Sequence, residues 1–218
     1  MMNSSWKSFF AACLLLAAGL CQSSIVVAGI YEDLRWAVED NNISDIRTLL
    51  AKGADPNTPD EEGNTLLMAA VRHKNADLVD LLVNAGAKLN LRNKYGETAI
   101  MLASYNGLRD IVEKLYVKGA EINHDGWNPL IYAATNGHVD IVRLLLDGGV
   151  QINATSENGT TALMMAARSN HSDAVKVLLK NGADPNIRNE SGGTALKWAL
   201  ARNYHEIAEL LKSRGAKE

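Results

Sequence analysis

Alanine, leucine and glycine recur along this chain at an almost constant interval. Successive copies of each of these three residues are separated by 33, 33, 30, 33 and 33 positions. An asparagine follows each of the first five glycines at a fixed distance. The marks are Ala37, Ala70, Ala103, Ala133, Ala166, Ala199; Leu49, Leu82, Leu115, Leu145, Leu178, Leu211; Gly53, Gly86, Gly119, Gly149, Gly182, Gly215; and Asn57, Asn90, Asn123, Asn153, Asn186. Such self-similarity indicates a repeat protein, in which each unit buries its apolar surface against the next unit.

One unit illustrates what each repeat folds into. Thr65 is a helix-capping residue, and Leu67 and Ala70 lie three residues apart on one face of the helix that follows. A second apolar stripe runs through Asp77–Leu82, and Gly86 can end that helix in the left-handed conformation. Helices this short are marginal alone, so the units must stack, and a small residue at each repeated alanine position lets neighbouring helices approach closely. The unit is therefore helix, turn, helix and extended loop.

These residues resemble the ankyrin repeat. The clearest matches are Gly159–Leu163 (GTTAL), Asn136–Val142 (NGHVDIV) and Gly182–Asn186 (GADPN). The resemblance covers residues 31–218 and implies an all-α ankyrin-repeat solenoid of about six helix-turn-helix-loop units, whereas it says almost nothing about activity. Within a repeat domain spanning 29–218, the predicted repeats are approximately 31–59, 60–92, 93–124, 125–155, 156–188 and 189–218.

One repeat is three residues short. Only His124 and Asp125 separate Asn123 from the next turn glycine, Gly126. We therefore expect a truncated loop tip, a notch in the row of loops beside Trp127. The first unit, which lacks a leading loop and begins with acidic residues, and the charged last unit are expected to cap the two ends of the stack.

The first 28 residues read as a secretory signal peptide with cleavage after Ala28. An apolar run from Phe9 to Leu20 follows Lys7, and it is shorter than the roughly 20 residues that span a bilayer. A membrane anchor and a lipid attached to Cys21 remain the alternatives. Both cysteines lie in this segment, so the mature protein would have no disulfide. These features favour a bacterial periplasm, with a secreted eukaryotic protein as the alternative.

Charge and motif content disfavour several classes of function. Without Lys7, the 22 basic residues become 21 against 25 acidic ones, which does not suit a nucleic-acid binder. We expect no cofactor, no metal site and no enzymatic activity, because neither a phosphate-binding loop nor a nucleophile motif occurs. Three histidines, at 138, 171 and 205, are read as equivalent structural positions about 10 Å apart. His73 and His124 are read as surface residues.

The tryptophans of the repeats receive separate interpretations. Trp36 and Trp198 occupy the same helical position in the first and last repeats, and we expect both to be packing residues. Trp127 precedes a first helix, where ankyrin-like proteins usually expose a contact residue. It either binds a partner or covers the shortened loop.

The resemblance implies a partner-binding surface on the concave face, made by the loop tips and the exposed side of the first helices. Tyr95, Tyr105 and Trp127 fall in adjacent units there, and aromatic residues contribute strongly to binding. We therefore predict a monomeric scaffold that binds and modulates one protein; the alternative is an immunity or inhibitor protein that blocks a toxin or enzyme. The predicted contact residues are Glu61, Glu62, Arg72, His73, Lys94, Tyr95, Tyr105, Asn106, Asp125, Trp127, Glu157, Arg168 and Arg202.

Overall fold

The computed structural model describes residues 29–217, which form six pairs of helices. In these residues there is no strand, and the one isolated β-bridge joins Thr155 and Thr161. The all-α solenoid predicted from the sequence is confirmed, while the proposed signal peptide at 1–28 lies outside the described residues. The helices are α1 (29–39), α2 (Ile43–Ala51), α3 (Leu66–Arg72), α4 (Ala76–Asn84), α5 (Ala99–Tyr105), α6 (Arg109–Val117), α7 (Pro129–Thr135), α8 (Val139–Asp147), α9 (Ala162–Arg168), α10 (Ser172–Lys180), α11 (Ala195–Ala201) and α12 (His205–Ser213).

Side-chain caps mark the beginning of four of the first helices, α3, α7, α9 and α11. The hydroxyl of Thr65 accepts a hydrogen bond from the backbone N–H of Met68, at 3.3 Å. In the short repeat, Asn128 plays the same part by accepting from the N–H of Ile131, at 3.0 Å, and Pro129 opens α7. Each cap satisfies a backbone donor that has no partner inside the helix, and proline is suited to the first helical position.

The repeated alanines and leucines form one continuous core. The alanines at 70, 103, 133, 166 and 199 are fully buried, and so are most of the repeated leucines. Adjacent first helices pack against each other more extensively than adjacent second helices do. The first helices and the loop tips form one side of the stack, which is the predicted concave face, and the second helices form the other.

The repeated asparagines tie each repeat to the next. The side-chain oxygen of Asn57 accepts a hydrogen bond from the backbone N–H of Lys88, at 2.7 Å. Four further bonds of the same kind follow, one for each later repeated asparagine. A side chain of this length with a carbonyl acceptor is what the position requires, which accounts for the periodic asparagine in the sequence.

Backbone hydrogen bonds also join neighbouring loop tips, but only in two places. The N–H of Lys94 donates to the carbonyl of Glu62 at 2.9 Å, and the N–H of Glu190 donates to the carbonyl of Asn158 at 3.0 Å. We call these the loop-tip bonds. In the part of the chain that the structure describes, none reaches the tip at 124–127 in the short repeat. The truncated tip thus separates the second and third repeats from the fifth and sixth.

A tight approach at each loop-tip bond requires glycine. Gly63 and Gly159 both have a φ of 79°, a conformation that other residues rarely adopt. A Cβ atom on Gly159 would lie 3.1 Å from the Cα of Asn189 in the next loop, closer than ordinary van der Waals contact. Loop stacking therefore explains the glycines at these two tips, Gly63 and Gly159.

Candidate functional site

The predicted contact residues all lie at the surface. Trp127 is half-buried, and the other members of the set are exposed, from Glu61 in the second repeat to Arg202 in the last. The structure brings some of them into direct association and leaves others apart. Those that associate lie in an aromatic cluster, in a groove and at an acidic end of the stack, all on the loop and first-helix side.

Three aromatic rings form a cluster in the third and fourth repeats. The ring of Tyr132 lies between the other two, 5.7 Å from the Tyr105 ring in an edge-to-face arrangement and 5.1 Å from the Trp127 ring. Centroid separations of this size are favourable for aromatic pairs. Tyr105 is 45% exposed, so the cluster offers an aromatic edge to solvent.

Hydrogen bonds hold this aromatic cluster in place. The Tyr132 hydroxyl donates to Oε1 of Glu97 at 3.0 Å. Burial, followed by the nearby Glu97 carboxylate, raises the pKa of the Tyr132 hydroxyl well above its usual value, so the hydroxyl stays a donor. The backbone carbonyl of Tyr105 accepts from Nδ2 of Asn136 at 2.7 Å and lies 3.0 Å from Nε2 of His138. The cluster is thus a fixed feature of the surface.

Sequence reasoning missed Tyr132. Its repeat position, directly before the repeated alanine, is also that of Trp36 and Trp198, and comparing the repeats at this position would have identified it. The residues there, in order, are Trp36, Ala69, Leu102, Tyr132, Met165 and Trp198. We call this series the inner column, and its large members contribute to the concave face.

Tyr95 stands apart from the aromatic cluster. It is 75% exposed at its loop tip, and in the described residues it makes no ring contact. Asn106 has a structural contact, because its side-chain N–H donates to the carbonyl of Leu102 at 2.8 Å. Lys94, Asp125 and Glu157 are exposed at loop tips. The contact roles predicted for these residues remain predictions.

A groove runs across the fourth to sixth repeats. Its apolar walls are Trp127, Met165 and Trp198, and its volume is about 370 Å³. The guanidinium of Arg168 lies 5.5 Å from the centre of the Trp198 ring, and Arg202 lines the same groove. Two predicted contact residues from the last repeats, together with Trp127, therefore share one depression, which we call the Arg-Trp groove.

The other end of the stack is acidic. Residues 29–64 contain nine acidic and three basic residues. Glu61 and Glu62 line a depression with Trp36, and Arg72 lines an adjoining one with Glu61. His73 lies 3.7 Å from a carboxylate oxygen of Glu39. The predicted mixture of glutamates and arginines is thus unevenly distributed along the stack.

The structure corrects the interpretation of the two end tryptophans. Trp36 is 61% exposed and is not a packing residue. Trp198 is half-buried and packs against the core, as expected, but it also forms a wall of the Arg-Trp groove. The two side chains share a repeat position and differ in their surroundings.

Two histidine interpretations were wrong. His138 and His171 are equivalent residues that cap α8 and α10, but the residue at this position in the last repeat is Tyr204, and His205 is the first residue of α12. His124 is not a simple surface residue, since both of its ring nitrogens are buried and, within residues 29–217, neither has a partner in hydrogen-bonding geometry. Burial and the positive charge of Arg92 lower the pKa of His124 below its usual value.

Across residues 29–217, no three histidine, cysteine or acidic side chains converge in an arrangement suited to a metal ion. No helix in this range is both long and apolar enough to cross a bilayer.

Comparison with known proteins gives one result. The family model for ankyrin repeats, which describes three copies at a time, matches residues 34–125, 114–189 and 155–218. Together these matches extend over most of the chain. Among the curated proteins, none matches the sequence.

Proposed function

The chain belongs to the ankyrin-repeat family, and on this premise we propose that it is an exported scaffold that binds one partner protein on its concave face. Ankyrin repeats generally mediate protein–protein interaction, and proteins built from them are typically not enzymes. Binding would change the stability or activity of the partner. The bacterial periplasm is the proposed location.

The aromatic cluster of Tyr105, Tyr132 and Trp127 is the observation that carries this proposal. Aromatic residues are enriched among the side chains that contribute most to protein interfaces, especially where they are held rigidly near the centre. The cluster lies in the middle repeats, it is fixed by hydrogen bonds, and its Tyr105 edge is open to solvent. A partner lying along the concave face would cover it.

Export rests on the apolar segment at residues 9–20 and the small residues before position 29. We expect the protein recovered from the exported fraction to begin at Gly29, as measured by N-terminal sequencing and intact mass. A mass that includes Cys21 and a lipid would replace this proposal with lipid anchoring. Recovery of the uncleaved chain in the cytoplasm would contradict export altogether.

A pull-down from the exported fraction tests the binding face. The wild type is compared with a Tyr95→Ala, Tyr105→Ala, Trp127→Ala triple variant, and we expect the variant to lose the main partner. The matched control is Tyr116→Ala, which removes an exposed tyrosine from α6 on the convex side. Circular dichroism and thermal unfolding establish that both variants are folded.

The possible outcomes distinguish binding of the partner protein from the effect of binding on that partner. A folded triple variant that retains every partner would contradict the concave assignment, as would an equal loss in the Tyr116→Ala control. For a captured enzyme, its activity and thermal stability are then measured with and without the scaffold. Inhibition with one-to-one stoichiometry would identify the immunity or inhibitor class, whereas raised stability would identify a supporting scaffold.

A further inference from the structure

Two arginines in the Arg-Trp groove lack a carboxylate partner. Arg168 and Arg202 are exposed, and of the ion pairs found between residues 29 and 217 none involves either of them. The Arg168 guanidinium lies over the ring of Trp198. Elsewhere on the stack, side chains such as Arg35 and Arg109 do pair with nearby glutamates. The groove therefore has two planar guanidinium groups available for a ligand.

The surroundings of these guanidiniums define the ligand that they suit. A guanidinium offers parallel N–H donors that match the two oxygens of a carboxylate. The indole rings of Trp127 and Trp198 and the thioether of Met165 provide apolar walls beside them. A ligand that complements the groove must present a carboxylate next to an apolar side chain.

The length of the groove defines the form of the ligand. Trp127 lies in the fourth repeat, Arg168 in the fifth and Arg202 in the sixth, so the groove crosses two repeat spacings of about 10 Å each. An extended peptide advances about 3.3 Å per residue, so roughly six residues would span this distance.

We propose that the Arg-Trp groove binds an extended acidic segment of the partner protein, with an Asp or Glu side chain on Arg168 and Arg202 and a neighbouring apolar side chain between the two indoles. This inference rests on the proposed function, since it names the chemistry that the concave face recognises. It adds a second contact region, in the last three repeats, to the aromatic cluster of the third and fourth.

Two carboxylates at the loop tips limit how strongly this region attracts a doubly charged ligand. Glu157 and Glu190 are exposed at the tips beside Asn158 and Asn189, which line the groove. A phosphate group carries nearly two negative charges at neutral pH, so these glutamates repel it more strongly than they repel a single carboxylate. Nucleic acid is disfavoured for the same reason and by the acidic balance of the chain.

A displayed library of random peptides of about 12 residues tests the inference, because this length exceeds the span of the groove. The probe is the library itself, selected on the purified wild-type protein and counter-selected on an Arg168→Ala, Arg202→Ala double variant. We expect an enriched motif of one acidic residue beside a large apolar residue. Enriched peptides should bind the double variant at least about tenfold more weakly by fluorescence polarisation.

Matched peptides and variants separate the possible outcomes. Replacing the acidic residue by its amide should reduce affinity as much as the arginine substitutions do. Arg143→Ala is the control variant, because Arg143 is an exposed arginine of α8, a second helix, and does not line the groove; it should leave affinity unchanged. An Arg168→Lys variant should bind more tightly than an Arg168→Ala variant and more weakly than the wild type, since lysine keeps the charge and loses the paired donors.

Several results would overturn the inference. These are the absence of any enriched acidic–apolar motif, equal binding of the amide peptide, equal loss in Arg143→Ala, or tighter binding when phosphoserine replaces the acidic residue. None of them decides the proposed function, which is tested by the triple variant at Tyr95, Tyr105 and Trp127 in the pull-down. A partner that is lost from the triple variant but retained by the double arginine variant would refute the groove alone.

Discussion

Trp36 in the first repeat and Trp198 in the last share one position in the repeat, and their surroundings are opposite. Trp36 is 61% exposed, whereas Trp198 is half-buried and faces Arg168. The two surroundings differ because side chains at this position contact the preceding repeat. Tyr132, the inner-column residue of the fourth repeat, likewise contacts Glu97 and Tyr105 of the third.

The comparison teaches that inner-column side chains pack against the preceding repeat. In the residues that the structure describes, Trp36 has no preceding repeat and so lacks the surface that covers the others. The second helices differ in the same way, because α2 buries only Ile46 whereas α10 buries five residues. A repeat at the beginning of the stack thus contributes less packing than one inside it, although both have the same sequence marks.

The largest effect is expected from shortening equivalent leucines in the two environments. Leu178 in α10 is fully buried, and Leu49 in α2 is only half-buried. We expect Leu178→Ala to lower the free energy of unfolding by about 3 kcal/mol, through lost burial and a cavity, and Leu49→Ala to lower it by about 1 kcal/mol. Urea unfolding followed by circular dichroism measures both. Equal losses would show that the first repeat is as well packed as the fifth.

A smaller effect is expected from removing the end tryptophans themselves. Trp198→Ala should cost about 2 kcal/mol of unfolding free energy, because the indole is half-buried against the core. Trp36→Ala should cost under about 1 kcal/mol, since most of its surface already contacts water. The same unfolding measurement applies. A larger loss for Trp36→Ala than for Trp198→Ala would disprove the dependence on a preceding repeat.

The smallest effect on stability is expected from the titration of His124, which lies in the shortened loop inside the stack. The pKa of His124 is lowered from 6.5 in the folded protein, mainly by burial and then by Arg92. The unfolded chain therefore binds more protons as pH falls below that value, and the native state loses stability there. We expect unfolding free energy to decline between about pH 7.5 and 5.5 and to decline less in His124→Gln.

One matched variant makes the pH test specific. His205→Gln removes an exposed histidine and measures how much the decline changes when a surface histidine is replaced. If His124→Gln retains the full decline, the short repeat is not the origin of the acid sensitivity. If stability instead increases as pH falls, the direction assigned to the His124 pKa is wrong.

Much of the fold could be predicted from the sequence because the repeat fixes it locally. Each periodic residue has one recurring contact, as the asparagine side chain shows by accepting from the next repeat's backbone at every step. A contact that recurs between every pair of adjacent repeats can be predicted from the period alone. The buried alanines and the caps of the first helices follow from the same reasoning.

The candidate site was less predictable because it depends on the residues that differ between repeats. The exposure of Trp36 and the packing of Trp198 depend on what precedes them, and Tyr132 becomes a site residue only through Glu97 and its aromatic neighbours. His124 presents the same difficulty, since a shortened loop buries its ring nitrogens where a full-length loop would have placed different residues. Such pairwise contacts have no signature in a single repeat.

The loop-tip bonds that flank the short repeat have a mechanical consequence. In the described residues, the second tip is bonded to the third and the fifth to the sixth, while the tip at 124–127 shares no such backbone bond. The third and fourth repeats are instead joined by side chains, through Tyr132 on Glu97 and Asn136 on the Tyr105 carbonyl. At the rim, the alignment of the two bonded pairs therefore depends on individual side chains of the short repeat and not on loop backbone.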